Sequence, residues 1–184
     1  SESWDSIKQG CNQAASERNV DLSFITLSEE NSASEQILLI NREIEGGADA
    51  IVLAAADSDK LIDAVDEASI KTPIVCIESP VNSNVITTYI SADNYAMGVQ
   101  LGKEIIASGN ARKRLAVVES SWGCKNVRER MDGLVSVLGS IGGDILHWQL
   151  PDDALQASQV YTEKLGKNEA DVLVTLDVSA LELA

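Results

Sequence analysis

A chain of 184 residues with 45% apolar content can bury a substantial core and has the length of one large domain or two small ones. Its 29 acidic against 14 basic residues give a formal charge of −15, and no basic cluster is longer than Arg112-Lys113-Arg114, so a nucleic-acid backbone would be repelled. No apolar run is long enough to span a bilayer. No signal-peptide pattern opens the chain, and any targeting segment is expected to have been removed.

Trp4, Ile7, Cys11, Ala14 and Ala15 fall at helical spacing and predict an opening helix. Residues 20–27 read as a strand. Ser32 followed by Glu35 is a capping-box pattern for a helix carrying Ile37, Ile40 and Ile44, which Gly46-Gly47 closes. A strand over 50–54, a helix with Leu61, Ile62, Val65 and Ala68, and a strand over 74–77 after Pro73 come next. Residues 87–90 form a further strand, and Asp93-Asn94 cap a helix bearing Met97, Leu101 and Ile105. After Gly109-Asn110 the alternation restarts, with strands over 115–119, 144–149 and 172–176 and helices over 127–138 and 154–166.

Alternating strands and helices imply right-handed crossovers and parallel sheets. The second half repeats the layout of the first, so the expected architecture is α/β, with two Rossmann-like doubly wound lobes over residues 1–93 and 94–184. The chain begins with a helix where a strand should stand and stops at Leu181-Glu182-Leu183-Ala184 as a helix begins. It therefore reads as a fragment lacking the first strand of the first lobe and the end of the second. An absent interior strand would leave unpaired backbone groups on its neighbours.

Several strands end in a polar residue: Asp57, Glu78, Glu119 and Asp177. In parallel α/β sheets the carboxyl ends of the strands are where ligands bind, so these residues mark the edge where function should be sought. The three cysteines lack metal-type spacing, which argues against a disulfide scaffold or a zinc site. Cys11 and Cys76 read as small buried hydrophobes, whereas Cys124, in a glycine-containing loop, is the candidate for exposure.

The chain resembles the type 1 periplasmic binding proteins, the two-lobed sugar-binding proteins of ABC importers, which share their fold with effector domains of lac-repressor-type regulators. The matching stretches are Ser3-Trp4 with Gly10 and Ala14-Ala15, Gln36 with Gly47-Ala48-Asp49-Ala50-Ile51-Val52-Leu53, and Asp57-Ser58-Asp59. Thr72-Pro73-Ile74-Val75, Ser91-Ala92-Asp93-Asn94 with Gly98, Arg128-Glu129-Arg130 with Gly133, and Thr175-Leu176-Asp177 with Ala180-Leu181 continue the match. Each is weak alone, but together they keep order and spacing across nearly the whole chain.

The resemblance implies a ligand in the cleft between lobes, its hydroxyls held by carboxylates, amides and arginine and its C–H faces by aromatic rings, with no cofactor. It places Trp4 at the start of the first helix as a stacking ring, with a core role as the alternative. Glu78 and Ser79 stand where many relatives carry an Asp-Arg pair, and Arg128 matches the arginine that opens the second-lobe helix and reaches a ligand oxygen. Arg130 reads as structural, because its spacing to Gly133 suggests helix packing. Asp177 is either a ligand acceptor or a helix cap, and Asp93 lies at the hinge with capping as its plain role. Trp122 is a second stacking platform or an exposed contact residue, and Asp153 is a further candidate at the cleft mouth. Ala54 and Leu176 replace the amides of pentose-binding members, so the sugar identity does not carry over.

The leading functional expectation is an extracytoplasmic solute-binding protein that captures a small carbohydrate and delivers it to an ABC permease. The alternative is the ligand-sensing domain of a repressor, which would be cytoplasmic, or of a sensor-kinase partner. Gly109-Asn110-Ala111-Arg112-Lys113 lacks the histidine that repressors of this type usually carry there, which favours transport. An enzyme is the weakest class. No G-x-G-x-x-G or P-loop run is present, and His147, the sole histidine, has no nucleophile motif beside it.

Overall fold

The computed structural model describes residues 2–29, 31–141, 143–151 and 153–183, the side chains of Glu2, Ser3 and Leu183 excepted. Ala184, the last residue of the final predicted helix, and the side chain of Ser3 in the Ser3-Trp4 match lie outside it. Helix α1 spans Glu2–Arg18, α2 Ala33–Glu45, β1 Ile51–Leu53, α3 Ile62–Ser69, β2 Ile74–Ile77 and β3 Thr88–Ile90. Then come α4 Asn94–Ala107, β4 Leu115–Glu119, α5 Lys125–Leu138, β5 Ile145–Gln149, α6 Ala154–Gly166, β6 Val172–Thr175 and α7 Val178–Leu183.

The described strands form two three-stranded parallel sheets, ordered β1-β2-β3 and β5-β4-β6. Ile51, Val52 and Leu53 pair with Ile74, Val75 and Cys76, and the last two of these continue onto Thr88 and Tyr89. The first sheet buries one face against α2 and α3 through Ile40, Leu53, Leu61, Val65 and Ile74. Val52 and Ile90, on its other face, are 59% and 63% exposed. The second sheet is covered on both faces. One cluster gathers Leu115, Val117, Val127, Leu134 and Leu138, and the other Ala116, Val118, Trp148, Tyr161 and Ala180. Every residue of β4 is buried, as expected of the central strand of a two-sided parallel sheet.

The chain crosses between the sheets through Ser91, Ala92 and Asp93, and the next helix, α4, docks on α5. Asp93 caps α4 by accepting from Ala96 N at 2.8 Å, as its sequence position predicts. The docking is backbone against backbone. A Cβ on Gly98 would stand 2.0 Å from the Arg130 carbonyl oxygen, and one on Gly133 2.1 Å from that of Tyr95. The residue-level reason for both glycines is therefore reciprocal close approach of two helices.

Three expectations are corrected. Residues 20–27 carry no regular secondary structure and join no ladder, because a strand exists only through its neighbour and no described strand lies beside them or along the free edge of β1. In the capping box, Ser32 accepts from Glu35 N, but the Glu35 carboxylate turns instead to Ser28 N, Ser28 Oγ and Glu29 N. Those backbone donors hold its pKa below the usual carboxylate range. Cys76 is buried as expected, but the other two cysteines are reversed, since Cys11 is partly exposed on α1 and Cys124 is buried.

Gly98→Ala and Gly133→Ala must each push the helices apart, since the atom met is backbone and cannot rotate away. Each should destabilise the fold by about 1–3 kcal/mol or more, seen as a drop of several degrees in melting temperature. Gly102→Ala meets the Val137 side chain first and should cost less.

Candidate functional site

The four polar strand ends have different fates. Asp57 folds back to accept from Asp59 N and Lys60 N at 3.0 and 2.9 Å, shaping the turn before α3. Glu119 is fully buried and meets His147 Nε2 at 3.0 Å, and burial pulls the imidazole pKa below its ordinary value. Asp177 accepts from Ser120 N and Oγ at 2.9 and 3.0 Å and from Ala180 N at 2.7 Å, so it ties the β4 loop to the start of α7. Glu78 hydrogen-bonds to side chains of the other lobe.

Its backbone explains how. Ser79 N donates to Ile77 O at 2.6 Å, closing a three-residue turn with Glu78 at φ +58°, a region that side chains seldom adopt. The turn is held from outside: Glu78 N donates to Ile90 O at 3.2 Å, and Glu78 O accepts from Tyr89 OH at 2.8 Å and Ser91 Oγ at 3.3 Å. Backbone strain of this kind costs about 1–3 kcal/mol and gathers at binding sites. Here it aims the carboxylate at α5, where Oε1 accepts from Asn126 Nδ2 at 3.2 Å and Arg130 Nη2 at 3.1 Å.

Around this bridge the lobes meet by further direct contacts. Ser58 N donates to Gly123 O at 2.9 Å, and Lys125 N donates to Ser58 Oγ at 2.9 Å. Cys124 Sγ sits 3.4 and 3.3 Å from the carbonyl oxygens of Ala55 and Ala56, and Asn31 Nδ2 donates to Ser120 O at 3.3 Å. At the rim, Arg128 pairs with Asp59 at 3.0 Å. Gln36 shapes the lobe-one side of this seam, donating to Ala54 O and accepting from Ala56 N, each at 2.8 Å.

Among the described residues two hollows stand out, the first reaching across the seam and the second within the second lobe. One of about 310 Å³ is lined by loop residues including Asn82, Ser83 and Asn84, by Tyr89, and by Lys125 from the other lobe. The other, about 180 Å³, is lined by Arg130, Thr175, Leu176, Asp177, Val178 and Leu181.

Of the residues singled out from sequence, the structure brings Glu78, Ser79, Arg128 and Trp122 to this seam. Ser79 is buried with its hydroxyl toward Ser58, 3.4 Å away. The Trp122 ring lies against His147, centroids 4.5 Å apart, and its carbonyl receives Arg128 at 3.4 Å. Asp177 lines the smaller hollow while serving as a cap, and Asp93 caps α4. Asp153 caps α6 through Gln156 N at 2.8 Å. Trp4 is 37% exposed and belongs to none of the buried clusters, so the core role does not hold. Asn126 and Arg130 were missed as bridging residues. Their i, i+4 spacing, in line with Gly133, was the available signal, since it sets all three on one face of α5.

Two parallel α/β lobes facing each other across a polar seam, joined by a crossover that feeds a helix of the second lobe, are the type 1 periplasmic binding protein architecture. Residues 1–182 match the periplasmic binding protein domain family, and the chain belongs to it. It is 25% identical over 133 residues to the ribose import binding protein RbsB of Bacillus subtilis strain 168, an alignment covering 72% of this chain and 43% of that protein. Among solved structures, the periplasmic component of an ABC-type sugar transport system from Hahella chejuensis superposes with a TM-score of 0.89 at 21% identity, over 98% of this chain and 68% of that one. A carbohydrate transporter solute-binding protein from Agrobacterium radiobacter, in complex with D-arabinose, gives 0.86 at 18% identity over 95% and 62%. The chain thus spans less than half of that curated relative and about two thirds of those structures.

Burial pushes the Cys124 thiol up to about 11 and raises that of Cys76. A raised thiol pKa keeps the unreactive protonated form below that value, so near pH 8 only ~0.1% of Cys124 is thiolate. A disulfide reagent applied to native protein at pH 8 should therefore modify Cys11 and spare the other two until denaturant is added. Native labelling of Cys124 as fast as that of Cys11 would show that the seam stands open most of the time.

Proposed function

We propose that this chain is the lobe pair of a solute-binding protein that captures a small neutral carbohydrate by closing around it and hands it to an ABC-type permease outside the cytoplasm. The observation that carries this reading is Glu78, presented across the seam on a strained turn with Oε1 bonded to the second lobe and Oε2 taking no hydrogen bond from the described residues. A carboxylate so placed offers an acceptor to a hydroxyl at the point where both lobes meet. The family match and the sugar-transport descriptions of the relatives support the substrate class. They favour transport over the regulator alternative. Among the described residues no helix is long and apolar enough to cross a membrane.

In this reading Glu78 and Arg128 fix hydroxyl oxygens from opposite lobes, Trp122 and Trp4 supply ring faces, and Ser79, Asp93 and Asp177 support the loops from which those groups project. Arg128 would exchange its exposed Asp59 partner for a ligand oxygen. Closure follows when a ligand contacts both lobes and so favours the closed state. The family supports a binding protein rather than an enzyme.

Isothermal calorimetry of the purified protein against aldopentoses, aldohexoses, deoxyhexoses and inositols should give saturable binding to at least one neutral polyol. Binding confined to amino acids or to DNA would refute the proposal. For the sugar that binds, Arg128→Ala and Trp4→Ala should each weaken affinity by about 1–3 kcal/mol and leave the melting temperature within a few degrees. An unchanged affinity in Trp4→Ala would remove that ring from the site.

A further inference from the structure

Arg130 gives each end of its guanidinium to a different part of the molecule. Nε donates to Asn94 Oδ1 at 2.9 Å, Nη1 to Leu176 O at 2.8 Å and Nη2 to Glu78 Oε1 at 3.1 Å. These acceptors stand at the start of α4, at the end of β6 and beyond β2 in the other lobe. The donors of a guanidinium point in fixed directions, so moving one acceptor re-aims the donors offered to the other two.

Two of the acceptors close on each other. Asn94 is 2% exposed, and its Nδ2 donates to Ser91 Oγ at 3.0 Å and Ala92 O at 3.2 Å, which fixes the crossover. Ser91 Oγ in turn donates to Glu78 O at 3.3 Å. Glu78, Arg130, Asn94 and Ser91 therefore form a closed hydrogen-bonded ring whose members lie on both lobes and on the segment joining them. Arg128 has no such place: its interlobe bond is a single contact to an exposed carboxylate.

We infer that Arg130 is the positioning residue that couples the Glu78 carboxylate to the interlobe crossover and so sets the angle between the lobes. It acts through Glu78 and Asn94. A hydroxyl donating to Glu78 Oε2 moves the carboxylate, and the ring converts that movement into a change at the crossover. The inference rests on the two-lobe closure reading, but its test needs no sugar, so a failure to find a sugar leaves the outcome interpretable.

The test is the distance distribution between spin labels on α2 and α6, in a Cys11→Ser background and without ligand. Arg130→Lys keeps the charge but loses the three-way fork, and should broaden the distribution or shift its mean by several ångströms. Ser91→Ala cuts the ring without touching Arg130 or any charge and should change it in the same direction, which preserves the test if Arg130→Lys folds poorly. Combining Ser91→Ala with Arg130→Lys should add little to either alone, because one ring is broken in both. Arg128→Ala should leave the distribution near wild type. A wild-type distribution in both Arg130→Lys and Ser91→Ala, with a lowered melting temperature the only effect, would reduce Arg130 to a packing residue and overturn the inference. A larger change in Arg128→Ala would overturn it too.

Discussion

Everything at the seam depends on two helices touching through their backbones. Because Gly98 and Gly133 have no side chains, α4 and α5 approach until carbonyl oxygens occupy the space a Cβ would need. That contact fixes the helix that begins at the crossover against the helix whose first turns carry Asn126, Arg128 and Arg130. A looser seam would let the rigid fork of Arg130 miss Asn94, and the bridge to Glu78 would lose its anchor.

On the opposite lobe the corresponding constraint is the turn at Glu78. A residue with a Cβ held at φ +58° is kept there by Tyr89 and Ser91 from β3 and the crossover, and by the Ile90 carbonyl. The strain and the bridge are parts of one arrangement, since the groups that impose the turn also border the hinge. The resemblance leads one to expect an Asp-Arg pair at the position of Glu78-Ser79. In this chain Ser79 turns inward to Ser58, and the nearby cation comes from the other lobe as Arg130.

The architecture was legible because its signals are local. Short apolar runs ending in polar residues marked the strands, and Ser32 and Asp93 marked helix starts by a side chain and an amide three residues apart. What the sequence hid is non-local. Residues 20–27 carry the residue pattern of a strand, yet pairing depends on a neighbour. Cys124 reads as an exposed loop thiol until the carbonyls of Ala55 and Ala56 arrive from the other lobe. Asp177 and Asp153 are carboxylates at loop positions that suit a ligand or a cap equally, and both cap. The division of labour between Arg128 and Arg130 turned on which face of α5 meets Glu78. Two positions along a helix separate side chains by most of half a turn, and only the packed structure says which one looks across.

The direct hydrogen bonds between lobes also bear on kinetics. Under the proposed closure reading, with Ser58, Cys124 and Lys125 already joined across the seam, a solute that must lodge between the lobes depends on their first parting. Encounter by diffusion then ceases to limit capture once the solute is abundant. The observed rate levels off at the opening rate, a quantity written into the seam and independent of the solute's concentration.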